Sequence, residues 1–364
     1  MKKDCREFKI ERLKIAKNKR SNAKLCLCNR NLLCSKRSFE LSFGMLFAII
    51  AGAIIIFIAI YATTRFVRIE KYAAYSEAAK AIANLMNPVV SGITSAYATK
   101  IDFKKETRVY VNCSTESVFS PYFGRQIIAF SEESGIFKRW SEPGAEIARY
   151  NKYIFADSTE QGKKLYIFSK PFYLGFKVDD LIMLSMKDYC FVGAPGFVQE
   201  EIEDIGLENV NISGSIEKCK HDSVKVCFGF STTDCNVSVY GECSEEYCKT
   251  EYDTGRIVKN GKTVYYVGSL IYAGIFSSPE IYECNVKRLG KKTAELGSVY
   301  IDKIDIVKQK ECNTVIEPFL EQIIVSSKNI KSSSNLININ YQAKLMDEQN
   351  CNQMLCKIYS SEEC

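Results

Sequence analysis

The sequence predicts an α+β protein with a long N-terminal transmembrane and stalk helix, a β-rich ectodomain, a C-terminal helical segment and disulfide staples. Three observations predict this class. Residues 41–64 form a run of 24 without a single charge. After that run, short segments rich in Val, Ile, Tyr and Phe come first and longer amphipathic segments follow. Twelve of the 16 cysteines also lie after it.

The uncharged run predicts a membrane-spanning helix. At 24 residues it would be about 36 Å long, and a hydrocarbon core is about 30 Å thick. The run is too long for the apolar core of a secretory signal and no A-x-A site follows it, so we expect a retained anchor. Helical spacing continues to Asn87, before Pro88. This predicts a stalk over 65–100, formed either by one helix from about Phe39 to Asn87 or by two helices that separate near Thr63 and Thr64.

The distribution of charge along the chain predicts the orientation of the span in the membrane. Residues 1–40 hold 13 Lys/Arg against 4 Asp/Glu, a net charge of +9, whereas residues 41–364 have a net charge of −3. The positive-inside rule therefore predicts a cytoplasmic tail over 1–40 and a single-pass protein with a large C-terminal ectodomain outside the cell membrane. The basic block adjoins a membrane span, so we interpret it as contacting anionic lipid headgroups of the bilayer and not nucleic acid.

The distribution of cysteines agrees with this membrane orientation, because twelve of the 16 follow the span. In an exported domain in an oxidising compartment, these twelve cysteines predict up to six disulfides, whose pairing the sequence does not give. Two local groups, 219–248 and 351–364, suggest that several bridges close short loops. The disulfide candidates are Cys113, Cys190, Cys219, Cys227, Cys235, Cys243, Cys248, Cys284, Cys312, Cys351, Cys356 and Cys364.

Three N-x-S/T sequons also follow the uncharged run, and they predict a glycoprotein at the cell surface. The acceptor candidates are Asn112, Asn211 and Asn236. Asn112 and Asn236 adjoin Cys113 and Cys235, an arrangement that could hinder modification.

The exported region changes from strands to helices along the chain. Residues 101–277 predict the β-rich ectodomain, with a type I′ hairpin at Asn260-Gly261 and one short helix over 199–209. Residues 278–364 predict the helical region, because Ser278-Pro279-Glu280 is a typical helix start and residues 332–335 (SSSN) are a loop. The region could form one domain or two.

No residue pattern predicts catalysis, a cofactor or a metal site. The only histidine, His221, lies in a polar turn and is interpreted as solvent-exposed. The Gly-Lys-Thr at 261–263 lacks the spacing of a phosphate-binding loop. Before the span, Cys5, Cys26, Cys28 and Cys34 lack zinc-site spacing. They are interpreted as reduced thiols, with a metal knuckle or lipidation as alternatives.

One face of the predicted span carries an acidic residue followed by three small residues. Glu40, Gly44, Ala48 and Gly52 recur every four residues, a spacing that lets helices approach closely in lipid. The order KRSFE then LSFGMLFAII resembles archaeal type IV pilin-like proteins with class III signal peptides. That resemblance implies cleavage between Ser35 and Lys36, which makes Glu40 the fifth residue, or after Ser38. The residue before either cut is Ser where the family usually has Gly or Ala.

These observations lead to a functional hypothesis with two alternatives. The leading hypothesis is a non-enzymatic surface protein with a structural, adhesive or pilin-like role, which forms homo-oligomers through the membrane helix. The second is a monomeric membrane-tethered binding or accessory component of an envelope or export complex, with an unknown protein partner or surface ligand. The third is an anchored hydrolase.

Overall fold

The computed structural model describes residues 43–63, 97–116, 123–134, 139–144, 146–241, 253–309 and 314–350. The chain divides into two compact units, residues 1–65 and 66–364. In the first unit, α1 (Phe43–Thr63) is a helix of 21 residues that is long and apolar enough to cross a membrane. Its length is about 32 Å at 1.5 Å per residue.

In the described part of the second unit, the first sheet has seven strands in the order β3-β2-β1-β6-β7-β5, with β4 paired to β2. Its strands are β1 (Tyr97–Ser114), β2 (Arg125–Ser134), β3 (Arg139–Trp140), β4 (Ile147–Arg149), β5 (Tyr153–Phe155), β6 (Thr159–Tyr173) and β7 (Lys177–Ser185). Strand β5 runs parallel to β7, and the other pairs are antiparallel.

This first sheet curls until its two edges nearly meet. Strand β4 pairs with β2 on one side and β5 pairs with β7 on the other, yet only residues 150–152 separate β4 from β5. The inward-facing side chains form a separate apolar core of alternate strand residues, including Val109, Val111, Ile128, Phe130, Ile154, Leu165, Ile167, Ile182 and Leu184. Alternation puts the neighbouring residues on the outer face, where Tyr153, Phe155, Phe168, Leu181 and Met183 join the main core.

A second sheet of six strands follows, with the order β13-β12-β11-β10-β8-β9. Its elements are β8 (Tyr189–Val192), α2 (Gly196–Ile205), β9 (Val210–Ser213), a short 3-10 helix (Ile216–Lys218), β10 (Val224–Phe228), β11 (Val237–Gly241), β12 (Thr254–Lys259) and β13 (Lys262–Val267). Strand β8 is parallel to β9 and to β10, and β10 is parallel to β11. Strands β12 and β13 are antiparallel to their neighbours.

Among the described residues of the second unit, four further helices follow: α3 (Leu270–Phe276), α4 (Pro279–Lys308), α5 (Glu317–Lys328) and α6 (Asn335–Asn350). They share one core with both sheets. Pro279 is the first residue of α4, as predicted, and Gly290 and Gly297 lie within this helix without ending it. The predicted hairpin is also confirmed, because Asn260 and Gly261 have φ values of 53° and 71° between β12 and β13.

Two element predictions differ from the structure. Helix α3 lies inside the range predicted as β-rich; all seven of its residues are buried, and a short run buried on every side has no periodicity that separates helix from strand. Residues 97–100 belong to the predicted helical stalk, but in the structure they form the start of β1. They pair with β6, for example Ala98 with Phe168. The remainder of the predicted stalk, residues 65–96, lies outside the described residues.

Candidate functional site

The predicted disulfide residues fall into two sets. Three pairs lie at bonding distance: Cys113–Cys284, Cys190–Cys219 and Cys227–Cys235, with Cα–Cα distances of 6.1, 5.8 and 5.9 Å. The first joins β1 to α4 across 171 residues, whereas the last closes a loop of 8. Cys243, Cys248, Cys312, Cys351, Cys356 and Cys364 lie outside the described residues.

The three sequon asparagines lie in exposed positions on or beside strands. Asn112 is in β1, Asn211 is in β9, and Asn236 immediately precedes β11. The Oδ1 atoms of Asn112 and Asn236 accept hydrogen bonds from the backbone N–H groups of Cys113 and Lys225, each at 2.8 Å. Their glycosylation stays a prediction.

His221 is solvent-exposed, as interpreted from the sequence. Its side chain is 99% exposed and its Nδ1 lies 3.1 Å from Asp222 Oδ1. It lines a shallow depression with Lys187, Asp188 and Lys220, in which the charges are paired: Lys220 Nζ lies 3.3 Å from Asp188 Oδ2, and Lys187 reaches Asp157. The lysine and aspartate charges of Lys187, Asp188 and Lys220 are therefore already paired.

The remaining sequence candidates are only partly described. Gly44, Ala48 and Gly52 lie on α1, and a Cβ at Gly52 would meet no atom within 4 Å. Glu40 and the cysteines before the span lie outside the described ranges. Across the residues that the structure does describe, no group of three or more His, Cys, Asp or Glu side chains is placed to hold a metal ion.

A buried ionic cluster that the sequence did not predict joins the two sheets. Lys259 Nζ donates to Asp157 Oδ1 at 3.0 Å and to the carbonyls of Ile275 and Ser277. Lys187 contacts the same carboxylate and lies 3.9 Å from Glu160 Oε1. Glu160 is fully buried and accepts the Met186 N–H at 2.8 Å.

Burial decides the direction of the pKa shift at two members of this cluster, Glu160 and Lys259. It raises the pKa of Glu160 despite the ammonium of Lys187, and it lowers the pKa of Lys259 despite the carboxylate of Asp157. Both effects follow from the desolvation of a charged group. Lys259 is enclosed by its three acceptors, whereas the Lys187 side chain is 39% exposed. The cluster therefore holds the sheets together and leaves Lys187 partly open to solvent.

Arg288 on α4 fills the seam where the first sheet nearly closes. It is fully buried, lies over the Tyr153 ring at 4.8 Å, and burial lowers its pKa to about 10. Its guanidinium donates to neutral acceptors on both sides of the seam, namely the carbonyls of Phe123, Tyr150 and Lys152 and the side chains of Gln126 and Asn285. Its role is therefore structural.

The second sheet contains a topological switch point. From β8 the chain passes through α2 to β9 on one side, and it then returns to β10 on the other side of β8. In sheets of parallel strands, ligands bind outside the carboxyl ends of the strands at such a point, where the two connections diverge.

A cavity of about 420 Å³ lies at this switch point. We call it the switch-point depression. Its lining comes from the carboxyl ends of three adjacent strands and the loops that follow them: Val192, Gly214, Ser215, Ile216, Glu217, Phe230, Thr232 and Asp234. The depression is open to solvent and is not an enclosed cavity.

Disulfides hold both loops of the switch-point depression. Cys190 lies in β8 and Cys219 closes the loop that carries Ser215 to Glu217. Cys227–Cys235 closes the loop that carries Phe230 to Asp234. Gly193, which directly follows β8, has φ of 67°, a left-handed conformation that favours glycine.

Sequence reasoning missed this site. The signal that could have found it is the Gly-Ala-Pro-Gly turn at 193–196, placed between a buried strand and a helix. Comparison with family models, with curated proteins and with solved structures finds no match for this chain.

Proposed function

We propose that this is a single-pass, membrane-anchored extracytoplasmic protein with a non-enzymatic structural or adhesive role. Residues 1–40 lie in the cytoplasm and the chain after α1 lies outside. The observation that carries the proposal is an uncharged helix of 21 residues followed by a folded unit with three cysteine pairs at disulfide distance. Structural disulfides persist in oxidising compartments outside the cytoplasm.

The assembly role rests on α1. Glu40, Gly44, Ala48 and Gly52 form the face through which a pilin-like subunit associates with copies of itself. The open space around Gly52 supports this role, because small residues allow two helix backbones to approach.

A second candidate function is a membrane-tethered binding component that stays monomeric. The switch-point depression supports it, since two disulfide-closed loops hold a cavity at the carboxyl ends of β8, β9 and β10. Pre-organised loops lower the entropic cost of binding a ligand.

Alkylation in intact cells tests the orientation. Full-length protein is labelled with a membrane-permeant maleimide before lysis, and its peptides are then mapped without reduction. We expect Cys113–Cys284, Cys190–Cys219 and Cys227–Cys235 to be recovered as bridged peptides. The internal control is the basic tail of the unprocessed precursor, whose Cys26 and Cys28 should be alkylated in the same sample. Alkylated thiols at most of the six paired positions would overturn the exported placement.

A further inference from the structure

Glu160 on β6 is a fully buried carboxyl group with one open oxygen. Its Oε2 accepts the Met186 N–H at 2.8 Å and lies 3.4 Å from the Ser185 hydroxyl. Its Oε1 has no hydrogen-bond partner among the residues that the structure describes. Buried polar atoms of a folded protein almost always have such a partner, so the open oxygen needs an explanation.

The Ser185 hydroxyl can pair with Glu160 in either protonation state. It lies between Glu160 Oε2 and Tyr189 Oη, at 3.4 and 3.3 Å. A hydroxyl donates one hydrogen bond and accepts others. When Glu160 is protonated, its O–H donates to Ser185, which donates to Tyr189. When Glu160 is ionised, both hydrogen bonds reverse, so the three groups stay paired in both states.

The Lys187 ammonium likewise has two positions open to it. Its Nζ contacts Asp157 Oδ2 and lies 3.9 Å from Glu160 Oε1. The Lys187 side chain is 39% exposed and can move, whereas the Lys259 side chain is 8% exposed and lies 3.0 Å from Asp157 Oδ1. Because Lys259 continues to neutralise Asp157, Lys187 can move to Glu160 without leaving a buried charge unpaired.

The groups that face Glu160 set the pH at which it ionises. Lys187, from the connection between β7 and β8, and Lys259, from β12, favour the carboxylate, whereas Asp157, just before β6, disfavours it. Tyr189 on β8 stays neutral, because burial raises its pKa well above 10.0. Burial of Glu160 outweighs the two lysines and raises the pKa of its carboxyl above the ordinary value of 4.5.

We propose that Glu160 and Lys187 form a proton-controlled latch between β6 and the connection from β7 to β8. While Glu160 is protonated, Asp157 holds the Lys187 ammonium. When Glu160 releases its proton to solvent, Lys187 moves to the new carboxylate. Residues 186–188 also line the depression beside His221, so the proton on Glu160 controls the position of a charge at the protein surface. The latch makes the folded unit responsive to the pH around it.

NMR spectra of the full-length protein in detergent micelles test the latch. Methionine is labelled with 15N and lysine with 13C, and the spectra are recorded from about pH 4 to pH 8, which spans ordinary and raised carboxyl pKa values. The variants Met186→Leu and Lys187→Arg assign the two signals. We expect the Met186 N–H and the Lys187 methylene next to Nζ to shift in one common step, with a midpoint above 4.5.

Two variants assign the step to its carboxyl group. Glu160→Gln keeps the size of the side chain but cannot ionise, and it should abolish the step at both signals. Glu203→Gln removes an exposed acid on α2 and is the matched control. It should leave the step unchanged.

Urea denaturation gives a second readout. A carboxyl whose folded-state pKa is raised binds its proton more tightly in the folded protein, so it lowers stability as the pH rises from 4.5 through the folded-state pKa. Glu160→Gln should therefore have a higher urea midpoint than the unchanged protein at about pH 7. The two midpoints should converge as the pH falls below 4.5.

Three results would contradict the latch: a Met186 midpoint at or below 4.5, a step that survives in Glu160→Gln, or Lys187 signals that do not take part in the Met186 step. If Glu160→Gln does not fold, the midpoint and the common step in the unchanged protein still decide. A failure here leaves the membrane placement intact, since the alkylation experiment tests that placement separately.

Discussion

Within the second unit, individual charged side chains connect different sheets and helices to one another. Arg288 joins α4 to the seam of the first sheet, and Lys259 joins β12 to the loop that follows β5. Buried charges of this kind are tolerated only when hydrogen bonds satisfy them. Removing one partner therefore costs more than the contact itself contributes, because the other charge stays buried.

The variant Asp157→Asn tests whether removing one partner of a buried ion pair destabilises the protein. Burial raises the pKa of Asp157, but the ammonium groups of Lys259 and Lys187 outweigh it and hold this pKa below its ordinary value of 3.8. A carboxylate with a lowered pKa contributes stability above pH 3.8, which is lost as the pH falls through the folded-state pKa. We expect the variant to lose about 3 kcal/mol of unfolding free energy at pH 7, and the difference to shrink below about pH 4.

Urea denaturation at several pH values measures this difference. The control is Asp222→Asn, since the Asp222 carboxylate is fully exposed beside His221 and its loss should change stability by less than about 0.5 kcal/mol. A difference for Asp157→Asn that stays constant from neutral to acidic pH would contradict the linkage to this carboxylate.

Helix α4 organises the elements around it. It carries Cys284 and Arg288, which bind it to the first sheet, and two glycines that bring α5 close. A Cβ at Gly290 would lie 2.6 Å from Ile330 Cγ2 and 3.0 Å from the Ser327 carbonyl oxygen, and one at Gly297 would lie 2.6 Å from Ile324. The helix-weakening effect of glycine is therefore offset by close packing.

Gly290→Ala should consequently destabilise the protein, although alanine is the better helix former. We expect a loss of about 1–3 kcal/mol from overpacking against α5. The matched control is Gly196→Ala in the first turn of α2, where a Cβ meets no atom within 4 Å and the change should be neutral or add about 0.5 kcal/mol. Thermal denaturation compares the two, and a gain for Gly290→Ala would show that the helices move apart readily.

At the scale of the whole molecule, the protein combines an apolar helix with a separate folded unit. The proposed pilin-like assembly requires processing of the basic tail, because Glu40 must stand near the mature N-terminus. The prediction is that the mature chain begins at Lys36 or Phe39, which intact-mass spectrometry of membrane-extracted protein can read directly.

A matched variant separates processing from assembly. In Glu40→Gln the mature N-terminus should be unchanged, whereas cross-linked oligomers should be lost, because the proposed assembly face includes the Glu40 carboxylate. A mature protein that retains Met1 would eliminate processed assembly and favour the monomeric binding component.

Local patterns determined much of the fold. An uncharged run of sufficient length predicts α1, because hydrocarbon excludes charge along every residue of the helix. Asn260-Gly261 predicts its hairpin because both residues tolerate positive φ. Pro279 marks the start of α4, since proline lacks only a hydrogen bond that the first turn does not make. Each of these three predictions depends only on residues that are close together in the sequence.

Only the tertiary structure decided the cysteine pairing, the ionic cluster and the switch-point depression. Cys113 and Cys284 are 171 residues apart, and Asp157 meets a lysine 102 residues away. The lining of the depression comes from three strands whose order in the sheet differs from their order in the chain. The sequence by itself determined the apolar helix, the hairpin at Asn260-Gly261 and the start of α4, because those follow from local spacing and propensity. The site depended on which strands pair, and pairing is a property of the folded chain as a whole.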